Sequence, residues 1–75
     1  MTDSELLSLW IYRKAPITSL FKVTANDYSY IGRIVSVFTK QRGAIRCVVE
    51  DDNGRLFIHN ASQISSLNIP ETTNG

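Results

Sequence analysis

Seventy-five residues with one cysteine, one histidine and a formal charge of +1 allow one small domain. They exclude an intrachain disulfide, a zinc site made of Cys and His alone, and the global positive field of a strongly basic nucleic-acid-binding domain. No apolar run nears the ~20 residues of a bilayer span. The opening "MTDSELLSLW" lacks the basic region of a secretory signal, so the expected compartment is the cytoplasm, where a lone thiol stays reduced.

The hydrophobic fraction of 43% is that of a folded globular chain. A core this small supplies only a few kcal/mol, and association is the support most open to a chain without disulfide or metal.

Residues 3–14, "DSELLSLWIYRK", predict a short helix. Asp3 or Ser4 can cap it, and Glu5 suits the positive end of its dipole. Leu6 with Trp10, and Leu7 with Ile11, share a side. Pro16 stops continuation. "LWIY" is also good strand material, which leaves a strand as the alternative.

From Leu20 the pattern is that of strands. "LFKVT" (20–24) is the first, and "ANDYS" (25–29) is a turn. "YIGRIVSVFTK" (30–40) is long, with Gly32 marking a bulge or tight bend. "KQRG" (40–43) is a hairpin tip, with Gly43 available for a positive φ. "AIRCVVED" (44–51) and "RLFIH" (55–59) flank Asn53-Gly54, which predicts a two-residue type I′ turn. "NASQIS" (60–65) reads as one helical turn, "SLNI" (66–69) as a short closing strand, and 70–75 as a frayed tail. The expected organisation is an N-terminal helical segment (1–19), a β unit (20–69) and the tail. Five short strands with a helical turn before the last form the pattern of a mainly β, SH3-like barrel.

A two-residue turn at Asn53-Gly54 sets Val49 opposite Ile58 and Val48 opposite His59. Alternation then places Ile45, Cys47, Val49, Leu56 and Ile58 inside. Arg46, Val48, Glu50, Phe57 and His59 fall outside. That outer set mixes apolar, aromatic and charged groups, as interfaces do. With Trp10 from the helix, it is the expected contact surface for a protein partner or for copies of the same chain. The plainer alternative is an ordinary outer face, with Phe57 tucked under the helix.

Nucleic-acid binding is a second reading. Lys40 and Arg42 on the hairpin tip, with Arg46 and Arg55, would meet phosphates, and Tyr28, Tyr30 or Phe57 would stack on bases. "EDDNG" (50–54) is too short for a calcium loop and lacks its distal glutamate. No nucleophile elbow surrounds Ser62, Ser65 or Ser66, and no glycine-rich phosphate loop is present. Cys47 reads as a core residue. No catalytic residue, metal ligand or cofactor is expected.

The stretch "YIGRIVSVF…AIRCVVEDDNGRLFIHNASQI" resembles the plasmid-borne type II dihydrofolate reductases over residues 30–69. The resemblance implies an SH3-like barrel assembling as a tetramer around a central pore. That family's valine-glutamine-isoleucine-tyrosine signature falls on Leu56, Phe57, Ile58 and His59. Only Ile58 is retained, and the pore lysine falls near Thr24, two positions from Lys22. The groups that contact folate and nicotinamide are thus mostly replaced, so reductase activity is not expected, and a diverged reductase using the Phe57–His59 face is the third reading. By the same resemblance, Phe57 and His59 point to the face that family uses for its pore and subunit contacts. "GRIVSVF", "VVEDDNG" and "LFIHNASQI" also resemble short proteins of proteobacteria and their mobile elements.

Overall fold

A computed structural model describes residues 1–16 and 18–67. The order of elements is helix α1 (Asp3–Ile11), strands β1 (Phe21–Thr24), β2 (Ser29–Thr39), β3 (Ile45–Glu50) and β4 (Leu56–Asn60), a 3₁₀ turn (Ala61–Gln63) and strand β5 (Ile64–Ser66). The chain is mainly β, as expected. The strands form one antiparallel sheet in the order β4-β3-β2-β1-β5. Among the described residues, β4 and β5 are the two edges and are not hydrogen-bonded to each other. The closing strand begins at Ile64 and meets the expected 66–69 at Ser66, while residues 68–69 and the expected tail at 70–75 lie outside the described residues.

The helix is capped one residue earlier than either candidate. Thr2 Oγ1 accepts from Glu5 N at 3.0 Å, and Glu5 Oε1 accepts from Thr2 N at 2.7 Å. This reciprocal capping box satisfies two otherwise orphaned amides. The Thr2 amide on the carboxylate also holds the Glu5 pKa below its ordinary value. The last turn closes on Arg13, whose φ of +52° lets Lys14 N reach Leu9 O at 3.1 Å. Leu6 is fully buried and joins the β core, while Trp10 is half-buried against it.

Strand β2 serves two pairings because it bends. Its first half pairs with β1 and its second with β3, with a register shift between Ile34 and Ser36. The bulge therefore sits after Gly32. Gly32 has another role: a Cβ there would lie 2.6 Å from Val49 Cγ1 and 2.7 Å from the Glu50 carbonyl oxygen. Only glycine lets β3 come this close to β2.

Both hairpins at the ends of β3 use three-residue loops. Gly43 N donates to Lys40 O at 2.8 Å, and Gly54 N donates to Asp51 O at 3.1 Å. Gly43 and Gly54 have φ of +86° and +80°. Asn53 does not share a positive φ, so the second turn is not type I′. Asp51 sets the longer loop: its Oδ1 accepts from both Asn53 N and Arg55 N at 2.9 Å.

One residue added to the loop inverts the whole of β4. Val49 lies opposite Phe57, Cys47 opposite His59, and Val48 opposite Ile58. A one-residue slip moves every side chain to the other face. Ile45, Cys47 and Val49 are inside as expected. Leu56 and Ile58, expected inside, are 61% and 64% exposed. Phe57 and His59, expected outside, face inward. Phe57 is half-buried and His59 only 4% exposed. The core comprises Leu6, Phe21, Val23, Ile34, Ile45, Cys47, Val49, Ala61 and Ile64, drawn from every element except β4.

Candidate functional site

Two constellations contain the side chains singled out by the sequence. They lie on opposite faces of the β3–β4 hairpin.

The inner one is built on His59. Its Nε2 lies 2.7 Å from the Tyr30 hydroxyl oxygen, and its Nδ1 lies 3.2 Å from Gln63 Oε1. Gln63 Oε1 also accepts from Asn60 N at 3.1 Å, which fixes it as the amide oxygen. An oxygen can only accept, so Nδ1 carries the imidazole proton. In the neutral ring Nε2 then accepts from the Tyr30 O–H. Tyr28, Tyr30 and Phe57 surround this chain. Tyr28 and Tyr30 stack with centroids 6.0 Å apart, and Phe57 meets Tyr30 at 5.6 Å.

This chain is a structural tie. Both imidazole nitrogens are engaged, so the ring has neither a free lone pair nor a free N–H to offer a substrate. Burial pushes the Tyr30 phenol up to about 12, with the Tyr28 phenol and the Asp51 carboxylate adding to it. Cys47 is equally committed. Its thiol donates to the His59 carbonyl at 3.6 Å, and burial pushes its pKa up to about 11. A thiol raised in this way is protonated at neutral pH and a poor nucleophile. Among the described residues, no group of three or more His, Cys, Asp or Glu is placed to hold a metal ion.

The outer constellation is apolar. The register sets Ser36, Val48 and Ile58 in one row, Phe38, Arg46 and Asn60 in the next, and Arg33, Glu50 and Leu56 on the other side. Leu56 and Ile58 stand out into solvent beside half-buried Val48, with Phe38 36% exposed one row away. Arg46 bounds the patch at one end. Glu50, held by Arg33 at 3.2 Å, bounds it at the other. Three of the residues expected on a contact surface are thus here: Val48, Arg46 and Glu50. Phe57 and His59 are on the inner face. Trp10 is on α1 under the Arg13 guanidinium, whose carbon sits 4.7 Å from the ring centroid.

The strand carrying this patch is also an edge. Asp51 N donates to Arg55 O at 3.0 Å, while Arg55 N turns to the Asp51 carboxylate, so the 51–55 rung is a hydrogen-bonded position of the ladder held by a single backbone bond. Bonded pairs alternate, so Phe57 and His59 bond Val49 and Cys47, and the N–H and C=O groups of Leu56 and Ile58 point away from β3. Among the described residues, β4 pairs with β3 alone. The opposite edge is different. β5 has three residues, and its exposed pair is Ser65 and Ser66.

The basic residues do not converge. Lys40 and Arg42 lie at the β2–β3 tip with Arg46 nearby, whereas Arg55 is at the far turn, bound to Asp51 at 3.7 Å. Tyr30 is committed to His59 on the inner face. A groove of about 660 Å³ beside that far turn brings Leu20, Ile31 and Leu67 together with Lys22, Arg33 and Asp52, a lining of mixed charge.

Leu56, Ile58 and Phe38 are the surface residues that the sequence reading missed. One signal was available for the first two. Gly43 closes a three-residue loop, and Gly54 stands at the same place in Asp52-Asn53-Gly54, behind an aspartate able to bond two amides. Comparison with protein families, with curated proteins and with solved structures returns no match to this chain.

Proposed function

We propose that this chain is a non-enzymatic protein-interaction module that binds through the outer face of β3 and β4. The observation that carries this reading is the exposure of Leu56 and Ile58 on an edge strand, where their own outward N–H and C=O groups have no strand partner among the described residues. An apolar row flush with an open edge and rimmed by Arg46 and Glu50 has the anatomy of a contact surface. The inner face supports the same reading from the other side, because its histidine, tyrosine and cysteine are spent on one another and on the backbone.

Site-specific photo-cross-linking tests it. A photoreactive side chain at position 58 forms adducts, in cells that express the chain, at positions 48, 56 or 58 of a second copy or on a discrete partner band. The same group at exposed Asp27, in the loop between β1 and β2, does not. Equal labelling at the two positions, or none at 58, overturns the proposal.

A further inference from the structure

We infer that the occupant of this surface is a second copy of the chain, joined edge to edge through β4 about a twofold axis at Phe57. The inference rests on the contact-surface reading above and names its partner.

The backbone sets the register. Leu56 and Ile58 each direct an N–H and a C=O to the open edge. Asn60 differs, because its N–H is already given to Gln63. Antiparallel pairing centred on Phe57 places Leu56 of one copy opposite Ile58 of the other. Each such pair exchanges both bonds, and the axis generates the second pair. Every free group of Leu56 and Ile58 is then satisfied. Centring the axis on Ile58 instead would oppose Leu56 to Asn60, and the Leu56 carbonyl would face an amide already committed to Gln63.

The side chains fit the same register. Leu56 and Ile58 of the two copies form one apolar cluster on the outer face, flanked on each side by Val48. Residues whose numbers sum to 114 lie opposite each other, so Gly54 of one copy is across from Asn60 of the other. Asn60 is the row-mate of Arg46. The β3–β4 turn of each copy, which carries Asp52, therefore lies at the Arg46 end of its partner. A chain of near-zero net charge pairs with itself without global repulsion. The Leu56–Asn60 edge has no proline, lysine or bulge of the kind that protects open edges.

Sedimentation equilibrium of the full chain, with amide hydrogen exchange followed residue by residue, tests the pairing. The mass rises with concentration from 8.4 kDa toward twice that value. Over the same range the Leu56 and Ile58 amides gain protection, and the Asn60 amide does not change. Ile58→Glu weakens the dimer by at least about tenfold and keeps the far-UV circular dichroism spectrum, because the side chain is solvent-exposed. Ile58→Pro is the second variant, deleting an edge-directed N–H at a position where an edge strand tolerates proline. A monomer at all concentrations up to about 1 mM overturns the inference. So does a dimer in which the two amides stay unprotected, or a monomer in which they are protected throughout. Position 58 cross-linking to a different protein in any of these cases leaves the contact surface standing and removes only the second copy as its occupant.

Discussion

The hydroxyl of Tyr30 donates to Nε2 of His59 at 2.7 Å, and β3 runs between the strands that carry them. The contact ties β2 to β4 across the inner face of the sheet. The two edge strands, β4 and β5, make no hydrogen bonds to each other among the described residues. His59 is in turn held by Gln63 from the 3₁₀ turn that leads into β5. A chain of side chains therefore joins the two halves of the bent sheet.

Tyr30→Phe leaves the buried His59 Nε2 without a donor. The expected cost is about 1–3 kcal/mol, the penalty of an unsatisfied buried acceptor. The ring itself stays, so its packing on Phe57 is retained. Urea titration followed by tryptophan fluorescence measures the loss. Unchanged stability would mean that water replaces the phenol and that the tie is dispensable.

Alkaline pH offers a second test of the inner face. The Tyr30 and Cys47 pKa values are raised above their ordinary values of 10.0 and 9.0, to about 12 and about 11. Both are acids whose neutral form is favoured by folding, so the unfolded chain loses its protons first. The stability they contribute is present below pH 9 and is lost as the pH climbs from there through 11 to 12. The denaturant midpoint is expected to hold steady up to about pH 8.5 and fall above it. Cys47→Val removes the lower part of that fall, and Tyr30→Phe the upper part. In the native protein the Cys47 thiol reacts with a disulfide reagent only at the rate of unfolding. Prompt labelling at pH 8 would show that the site opens on its own.

The course of β3 was legible in the sequence because Ile45, Cys47 and Val49 alternate with Arg46, Val48 and Glu50, and only one face is apolar. The course of β4 was not, because Leu-Phe-Ile-His suits either face. Its orientation depends on the loop alone, and the loop depends on a competition invisible to residue preference. Asn53-Gly54 favours a two-residue turn. The Asp51 carboxylate, by accepting from Asn53 and Arg55, favours three. The helix was legible from its spacing, but its cap was displaced because Thr2 forms the reciprocal pair with Glu5 that Asp3 or Ser4 does not. The candidate surface inherited the error in β4. Val48, Arg46 and Glu50, on the well-determined strand, were placed correctly on the outer face, and the β4 residues were exchanged for their neighbours.

That competition can be tested at the turn. Gly54 has φ of +80°, so Gly54→Val is expected to cost on the order of 1–2 kcal/mol for the left-handed backbone, and more for the β-branch. Asn53→Ala is expected to change stability by less than about 0.5 kcal/mol, because its φ is negative and its side chain caps nothing. A two-residue type I′ turn would penalise both positions. Thermal unfolding of the two variants distinguishes the loops. Asp51→Ala removes the acceptor for two amides and is expected to cost more than Asn53→Ala.

Gly32 offers a test that depends on packing alone. Its backbone does not need a positive φ, yet an added methyl would meet Val49 Cγ1 and the Glu50 carbonyl below 3 Å. The carbonyl belongs to the ladder and cannot swing aside, so β2 and β3 must part. Gly32→Ala is expected to destabilise by about 1–3 kcal/mol, the reverse of the gain that glycine-to-alanine substitution gives at an unstrained site. A stabilised variant would mean that the approach of the two strands is looser than described.

The orientation of β4 is decided by comparing two apolar residues that the two-residue turn would set side by side in the core. Val49 is fully buried and Ile58 is 64% exposed. Val49→Ala opens a cavity among Cys47, Ile34 and their neighbours and is expected to cost about 1–3 kcal/mol. Ile58→Ala removes more hydrocarbon, yet from a side chain already in water. For an isolated chain its expected cost is below about 0.5 kcal/mol. Measured at low micromolar concentration, the order of the two effects reads out the face directly. Measured at high concentration, Ile58→Ala acquires an additional cost, because the native chain then gains stability from pairing that the variant lacks. Val49→Ala shows no such concentration dependence. If Ile58→Ala proves the costlier substitution at every concentration, β4 has its other face to the core, and both the His59 tie and the Leu56–Ile58 surface fall together.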